Sequence, residues 1–363
     1  MIAEHLPVLQ VVVPLVAAPV CLLLRRAAWA WALAWGATAA ALAAALSLLA
    51  RVLEGGPLSY ALGDWAPPLG IELRVDVVNA YVLVIVAAVC TAVLASAPAG
   101  LERDVPRGRQ PLFYALYLLF LAGLLGVTVT GDAFNVYVFL EIASLATYAL
   151  IGLGRDRRAL TAAFRYLVLG TVGATFILIG IGLMYALTGT LNMAELAERL
   201  PPLAQTRTAL VAFAFLAVGL LLKLALFPLH LWLPNAYTYA PAVVGALMAV
   251  VTKVWIYAFL RFAFTVWGGE VSFAEIGFQA VLLPLSLAAV LLGSAVALVQ
   301  RNIKRMLAYS SVAQIGYIVL GISFVSVTGL TGSLVHLFNH ALMKAALFLC
   351  AGAFALRMGA TEL

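Results

Sequence analysis

Apolar stretches recur along the whole chain, each about 20 residues long, which is the length at which a helix crosses the hydrocarbon core of a bilayer. Short segments containing Gly, Pro and charged residues separate these stretches. The strands of a membrane β-barrel would show only a weak alternation over about ten residues. The pattern therefore predicts an all-α integral membrane protein with about 11 transmembrane helices.

The predicted helices cover approximately residues 7–24, 28–50, 77–97, 112–130, 133–153, 161–187, 208–227, 243–263, 279–299, 306–325 and 329–356. Hydrophobic residues make up 65% of the chain and charged residues 10%, whereas soluble domains are about 45–50% apolar and about 25% charged. The first stretch lacks a basic region and a small-residue cleavage site, so we interpret it as a retained helix and not as a signal peptide. The longest segments between helices, 51–76 and 188–207, are too polar for a core of their own.

Lys and Arg are distributed unevenly between the loops. The odd-numbered loops hold 13 of the 21 basic residues, namely Arg25, Arg26, Arg103, Arg107, Arg109, Arg155, Arg157, Arg158, Arg165, Arg301, Lys304, Arg305 and Arg357. The even-numbered loops hold five, namely Arg51, Arg74, Arg199, Arg207 and Arg261. Because cytoplasmic loops collect Lys and Arg, the asymmetry predicts a multi-pass protein of the cell (inner) membrane with an external N-terminus. The same asymmetry accounts for the net charge of +6, so nucleic acid is not expected as a partner.

Three lysines, Lys223, Lys253 and Lys344, belong to no loop and lie inside predicted spans. A lysine at bilayer depth costs roughly 2.5–3.5 kcal/mol, so such residues normally face a polar interior or an ion pathway. Glu141 is the one acidic residue well inside a predicted span, and Lys223 is its expected partner. Such a pair can act as a switch that responds to a proton or cation, or it can be a static contact that fixes helix packing. The sequence leaves both readings open.

Lys223 and Lys253 are 30 residues apart, with a broken segment between them. The segment contains three prolines, Pro228, Pro234 and Pro241. Broken helices at membrane depth are tolerated chiefly where protein or water satisfies the freed backbone groups. His230 follows the first break and either links the lysines to water or bonds a loop carbonyl.

His336, His340 and Lys344 are spaced four and four in the last predicted helix, so they form one stripe on one helical face. A single membrane histidine is usually a packing residue that is hydrogen-bonded to a neighbour. Three titratable groups in register are costly to retain for packing alone. We therefore expect these residues, together with Glu141 and the two earlier lysines, to relay protons.

No pattern for catalysis or for binding a cofactor or metal is found in the sequence. Cys21, Cys90 and Cys350 lie far apart in apolar runs without metal-ligand spacing. No Gly-rich phosphate loop, nucleophile triad or haem-type pair of histidines stands out, and nothing indicates a quinone headgroup site. Any redox or hydrolytic chemistry is expected to belong to another chain.

The residues from about Leu73 onward resemble the proton-conducting antiporter-like subunits of respiratory complex I and of Mrp-type cation/proton antiporters. The segments that carry the resemblance are LRVDVVNAYVLVI, GDAFNVYVFLEIASLATYALIGL, LLLKLALFPLHLWLPNAYTYAPAVVGALMAVVTKVWIYAFLR, RNIKRMLAYSSVAQIGYIVLG and HLFNHALMKAALFLCAGA, in the order of the family. Within the family, TGTLNMAEL and VVTKVWIYA are most similar to the D subunit of Mrp antiporters.

The resemblance implies that Glu141 and Lys223 form the ion pair of the family and that Lys253 is its central lysine. It also implies an antiporter-like fold built from two inverted five-helix repeats, each with a broken helix, an arrangement found in other transporters. The domains implied are three N-terminal helices in residues 1–111, a first repeat in 112–263 and an incomplete second repeat in 279–363. We expect either a fragment, a chain completed by another polypeptide, or a short natural form.

The leading functional hypothesis is a proton-translocating subunit of a multi-subunit monovalent cation (Na+)/proton antiporter. The alternative is a proton-pumping membrane-arm subunit of a complex I-like NADH:quinone oxidoreductase or membrane-bound hydrogenase. A further alternative is a non-conducting scaffold. In each case the expected partners are other hydrophobic subunits of a hetero-oligomeric complex and the lipid bilayer, with protons and Na+ as transported ions in the first.

Overall fold

A computed structural model describes residues 2–24 and 26–358. Thirteen α-helices are present in these ranges: α1 (Leu6–Leu23), α2 (Ala27–Gly55), α3 (Val77–Asp104), α4 (Gln110–Val129), α5 (Ala133–Gly152), α6 (Arg157–Thr188), α7 (Met193–Arg199), α8 (Arg207–Leu224), α9 (Trp232–Tyr239), α10 (Ala242–Leu260), α11 (Gln279–Leu298), α12 (Ile303–Ser323) and α13 (Val327–Met358). All except α7 and α9 are long and apolar enough to cross a membrane, which gives 11 candidate spans in the described part of the chain. The predicted number is confirmed. Arg25, Met1 and the last five residues of the predicted second repeat lie outside the described residues.

Short polar side chains begin several of the helices. Asp76 accepts the backbone N–H groups of Val78 and Asn79, and the Asn79 side chain accepts the N–H of Asp76, which completes a capping box at the start of α3. Asp132 accepts the Asn135 N–H at 2.7 Å and begins α5 in the same way. These caps satisfy helix N–H groups at the ends of apolar runs, where lipid offers no acceptor.

A β-hairpin lies between α2 and α3, formed by β1 (Leu58–Ala61) and β2 (Glu72–Val75), which pair antiparallel. No strands were predicted from the sequence, because four-residue strands give too short an alternation to be recognised. Glu72 fixes the hairpin on the bundle, since its carboxylate accepts hydrogen bonds from Ser59 Oγ at 2.6 Å and Asn192 Nδ2 at 2.9 Å.

α10 lies at the centre of the bundle. In the most apolar 18-residue stretch of its span, 94% of the residues are buried inside the protein. The corresponding share is 39% for α6 and 33% for α13. It packs against α3, α8 and α13. The lysine that α10 carries is therefore surrounded by protein on all sides.

The span that carries Lys223 is interrupted. α8 ends at Leu224, and Ala225 adopts the left-handed conformation with φ 62°. The chain then turns until α9 begins at Trp232. The helix thus ends three residues before the predicted boundary at 227, because the left-handed residue cannot continue a right-handed helix.

Two interactions stabilise this interruption. The Trp232 indole N–H donates to the Leu222 carbonyl at 2.9 Å, and the Leu226 N–H donates to the Leu221 carbonyl at 3.1 Å, so carbonyls freed at the end of α8 are satisfied. One turn earlier, Gly219 meets α6 so closely that a Cβ there would lie 2.6 Å from the Gly173 carbonyl oxygen. The close approach requires glycine at position 219.

Candidate functional site

Lys223 lies in the last turn of α8 and its side chain is fully buried. Its Nζ donates to Ser144 Oγ at 2.8 Å and lies 3.3 Å from Glu141 Oε1, both on α5. The Glu141 side chain is 21% exposed. The C-terminal end of a helix favours a nearby cation, so the helix break and the carboxylate stabilise the ammonium together. The predicted partnership of the two residues is present in the structure.

An aromatic layer lies beside this ion pair. The rings of Tyr166 and Trp232 stack with centroids 3.9 Å apart and planes 3° from parallel, and Tyr148 meets Tyr166 edge-on at 4.6 Å. The hydroxyls of both tyrosines are buried, and no hydrogen-bond partner for them is found among the described residues. The layer therefore places two buried hydroxyls without described partners beside the ion pair.

Lys253 is 1% exposed and lies in the middle of α10. Its Nζ has one side-chain contact in the described structure, the Thr252 hydroxyl at 3.3 Å, and no carboxylate lies within salt-bridge distance of it. Lys253 thus differs from Lys223, whose charge is compensated. An ammonium in this position would be stabilised weakly, so the site favours a group that gains and loses its proton.

The two histidines of α13 stack with ring centroids 6.1 Å apart and planes 9° from parallel. His340 is completely buried, and within the described ranges neither ring nitrogen has a hydrogen-bond partner. His336 Nε2 is also without one. Lys253 is close enough to His336 and His340 for positive charges on them to repel one another. The predicted stripe therefore faces Lys253.

Lys344 lies one turn beyond His340 and is 3% exposed. Its Nζ donates to the Leu307 carbonyl at 3.0 Å and to Ser310 Oγ at 2.8 Å, both on α12. Ser310 was not identified from the sequence, although the serine pair in the AYSS segment was visible. A positive charge on Lys344 of α13 would also repel a positive charge on Lys253 of α10. The charge state of each lysine therefore affects the other.

His230 lies in the interruption between α8 and α9 and is 8% exposed. Its ring lies 5.4 Å from the Phe227 ring and 6.2 Å from the Tyr309 ring, measured between centroids. Nδ1 has no hydrogen-bond partner among the described residues. The structure therefore places His230 at the break, as expected, with its ring near Tyr309 of α12.

A cavity of about 580 Å³ opens between α12 and α13. The polar members of its lining are Gln314, Tyr317, Ser326, Thr328, Ser333 and His336. His336, which stacks on the buried His340, thus lines this cavity.

Two curated relatives share most of this chain. NADH-quinone oxidoreductase subunit N of Desulforudis audaxviator is 47% identical over 96% of this chain and 70% of the relative. The D subunit of the Na(+)/H(+) antiporter of Alkalihalophilus pseudofirmus is 34% identical over 87% of this chain and 63% of the relative. The chain thus spans about two thirds of the length of these relatives.

Two solved structures share the fold. A chain of the Mrp complex from Dietzia sp. DQ12-45-1b superposes with a TM-score of 0.90 at 30% identity, over 100% of this chain and 66% of that one. A chain of the membrane-bound sulfane sulfur reductase, an archaeal respiratory membrane complex, superposes with a TM-score of 0.88 at 28% identity, over 99% and 72%. The model of the NADH:quinone oxidoreductase/Mrp antiporter transmembrane family matches residues 130–363. The chain therefore belongs to the NADH:quinone oxidoreductase/Mrp antiporter family.

Proposed function

We propose that this chain is a proton-translocating membrane subunit of a multi-subunit oxidoreductase of the complex I type. The observation that carries the proposal is the buried Lys223, paired with Glu141 at a helix break and followed by a cluster of uncompensated basic groups. From the sequence alone, antiport was the leading hypothesis. The higher identity to an NADH-quinone oxidoreductase subunit, 47% against 34% for an antiporter subunit, favours the redox alternative.

Glu141 and Lys223 form the first step of the proposed relay. A proton that reaches Glu141 neutralises the carboxylate that holds the ammonium of Lys223. Lys223 then keeps only the Ser144 hydroxyl as a side-chain partner, and its proton is released toward the interior. The pair reforms when Glu141 passes its proton to the neutral Lys223, so each cycle moves one proton from Glu141 to the interior.

Lys253, His336, His340 and Lys344 form the second step. Electrostatic repulsion between Lys253 and the α13 groups opposes the simultaneous presence of several positive charges. A proton that enters this cluster therefore displaces another. His230 supplies a further titratable group in the interruption between α8 and α9.

The proposed architecture contains a first repeat in residues 112–263 and part of a second, inverted repeat in 279–363, beside the helices of 1–111. The order of neighbours supports it, because α4, α5 and α6 pack in sequence and α11, α12 and α13 do the same. The interruption after Leu224 is the proposed broken helix of the first repeat. The asymmetry of basic residues supports an N-terminus outside the cell membrane.

The proposed partners are other hydrophobic subunits of a hetero-oligomeric complex, with the redox centres on further chains. The similarity to a chain of the Mrp complex and to the D subunit of an antiporter favours a second candidate, monovalent cation/proton antiport. A non-conducting scaffold has less support, since it would not need buried uncompensated lysines.

Sealed vesicles with the native complex test the proposal. Proton translocation that starts when NADH, hydrogen or another reductant is added, and that needs no sodium gradient, supports the redox subunit. Proton movement driven by a sodium pulse without an electron donor supports the antiporter. Translocation by neither route would contradict both. Iron–sulfur proteins among the co-purified subunits would indicate the redox branch.

A further inference from the structure

A second line of polar side chains runs from Lys253 along α10, away from the histidines. Lys253, Tyr257 and Arg261 are spaced four and four, so they share one face of the helix. Each step advances the line by about 6 Å along the helix axis. The line leads to the end of the helix opposite Ala242, on the side where the few basic residues of the even-numbered loops lie.

Hydrogen bonds connect Tyr257 to Arg261 at the outer end of this line. Its ring is buried, its hydroxyl donates to the Thr128 carbonyl at 3.0 Å, and it accepts from Arg261 Nε at 2.9 Å. A terminal guanidinium nitrogen of Arg261 donates to the Asp76 carboxylate at the start of α3. The Arg261 and Asp76 side chains are only 17% and 22% exposed, so this ion pair lies where the buried line meets the surface.

Two small cavities adjoin Arg261. One of about 80 Å³ is lined by Arg74, Asp76, Asn79, Thr130 and Arg261, among others. The second, of about 160 Å³, reaches Tyr257 and also includes Arg261. Thr265 lines both cavities. Arg261 therefore lies between a space that contacts Tyr257 and a smaller space lined by more polar groups.

The backbone changes its helical form at the same point. α10 continues as a π-helix over Arg261–Val266. Single π-helical turns are uncommon and are frequently found at functional sites, because they shift the side chains that follow. A contact that served only to hold α3 and α10 together would require neither this change nor the two cavities beside Arg261.

We propose that the Arg261–Asp76 ion pair is a gate at the outer end of a proton route from Lys253 through Tyr257. In this structure the pair is closed. The charged groups that line the two cavities are Arg74 of β2, Asp76 at the start of α3 and Arg261 at the end of α10, and Tyr257 is the titratable group between them. This route deepens the proposed function and depends on it, since it gives the Lys253 cluster an exit within the described helices.

Water access tests the gate independently of transport. The complex would carry this subunit without Cys21, Cys90 and Cys350, and single cysteines would be introduced by Tyr257→Cys, Ile256→Cys or Thr265→Cys. The probe is a membrane-impermeant methanethiosulfonate, added to the face on which Arg261 lies. Asp76→Asn opens the pair but keeps an N-cap, because asparagine caps helices about as well as aspartate.

The gate predicts that Asp76→Asn raises the labelling rate of Tyr257→Cys about tenfold, the effect expected for a hydrogen bond to a charged group that restrains an opening. Thr265→Cys, at the exposed mouth, is labelled in both backgrounds. Ile256→Cys, which is buried and outside the line, stays unreactive. An unchanged rate at Tyr257→Cys, or equal labelling of Ile256→Cys, would overturn the gate.

Transport provides the second measurement. Tyr257→Phe keeps the ring and removes the hydroxyl, so it is expected to lower coupled proton translocation severalfold. Arg207→Gln changes an exposed arginine outside the cavities and serves as the control with unchanged transport. If Tyr257→Phe translocates protons as well as the control, the route through Tyr257 is wrong. If Lys253→Ala loses translocation in the same experiment, the proposed function still holds without that route.

Discussion

Glu141 lies 3.3 Å from Lys223, a residue 82 positions away in the chain, at the point where the helix that carries the lysine ends. The pair thus joins the middle of one span to the broken end of another. Its geometry gives the charge state of either residue a direct effect on the other. That coupling is the physical basis for the tests of the relay.

Replacing Glu141 by Gln or Ala should abolish coupled proton translocation while the complex still assembles. The ammonium of Lys223 would lose its only carboxylate partner in the described structure, and a neutral amide cannot exchange a proton with it. Translocation is measured in sealed vesicles and assembly by co-purification of the other subunits. Glu195→Gln is the matched control, since Glu195 pairs with Arg199 on the short helix α7, outside the spans. Normal translocation in Glu141→Gln would contradict the relay.

Ser144→Ala should have a smaller effect than Glu141→Gln. The hydroxyl accepts from Lys223 Nζ at 2.8 Å but carries no charge, so the ion pair persists without it. We expect translocation to fall by a factor of about ten, the lower end of the effect of one hydrogen bond to a charged group. An equal loss in Ser144→Ala and Glu141→Gln would mean that the hydroxyl, and not the ion pair, controls Lys223.

Lys253→Arg should abolish translocation as completely as Lys253→Ala. Arginine keeps the positive charge but does not release its proton in proteins. A residue that acts only through its positive charge would tolerate this replacement. A residue that exchanges its proton would not, so the two roles predict opposite results. The vesicle assay distinguishes them, with assembly as the control. Full activity of Lys253→Arg would rule out proton exchange at this position.

His340→Leu should raise the thermal midpoint of the isolated complex and lower its translocation. The buried ring has two nitrogens without partners among the described residues, and an unsatisfied buried polar group costs about 1–3 kcal/mol. Leucine has no such groups. A thermal shift assay and the vesicle assay are carried out on the same preparation. A lower midpoint would show that His340 is held by hydrogen bonds, which would favour a packing role.

Trp232→Ala should destabilise the subunit by about 3 kcal/mol or more, the usual effect of removing a large aromatic ring from a core. It removes both the stack on Tyr166 and the hydrogen bond to the Leu222 carbonyl. Trp232→Phe retains an aromatic ring and loses only the hydrogen bond, so its effect should be about 1 kcal/mol. Unfolding in mild detergent with increasing denaturant measures both. If both variants lower the free energy of unfolding equally, the hydrogen bond and not the ring stack contributes the stability.

The spans could be predicted from the sequence because each apolar run has the length of a bilayer crossing. The pairing of Glu141 with Lys223 could also be predicted, since a buried ammonium requires a partner and few candidates existed. In contrast, the roles of Ser144 and Ser310 depend on how helices rotate about their axes. Hydropathy does not specify this rotation, so these contacts were not distinguished from ordinary helix contacts.

The β-hairpin and the line through Tyr257 were missed for different reasons. β1 and β2 are too short for a periodic signal. Arg261 was counted as a loop residue because it follows an apolar run, while its partner Asp76 is nearly two hundred positions earlier in the chain. A partnership over such a distance follows from the packing of α3 against α10, which one sequence does not give.

The central position of α10 has a mechanical consequence. In the most apolar stretch of each span, 94% of the residues of α10 are buried inside the protein. The share is only 33% in α1, α2 and α13, the helices nearest the two ends of the chain. If the chain is pulled out of a bilayer from either end, the outer helices have fewer contacts to break and should leave at lower force. α10, which carries Lys253, should resist extraction most strongly.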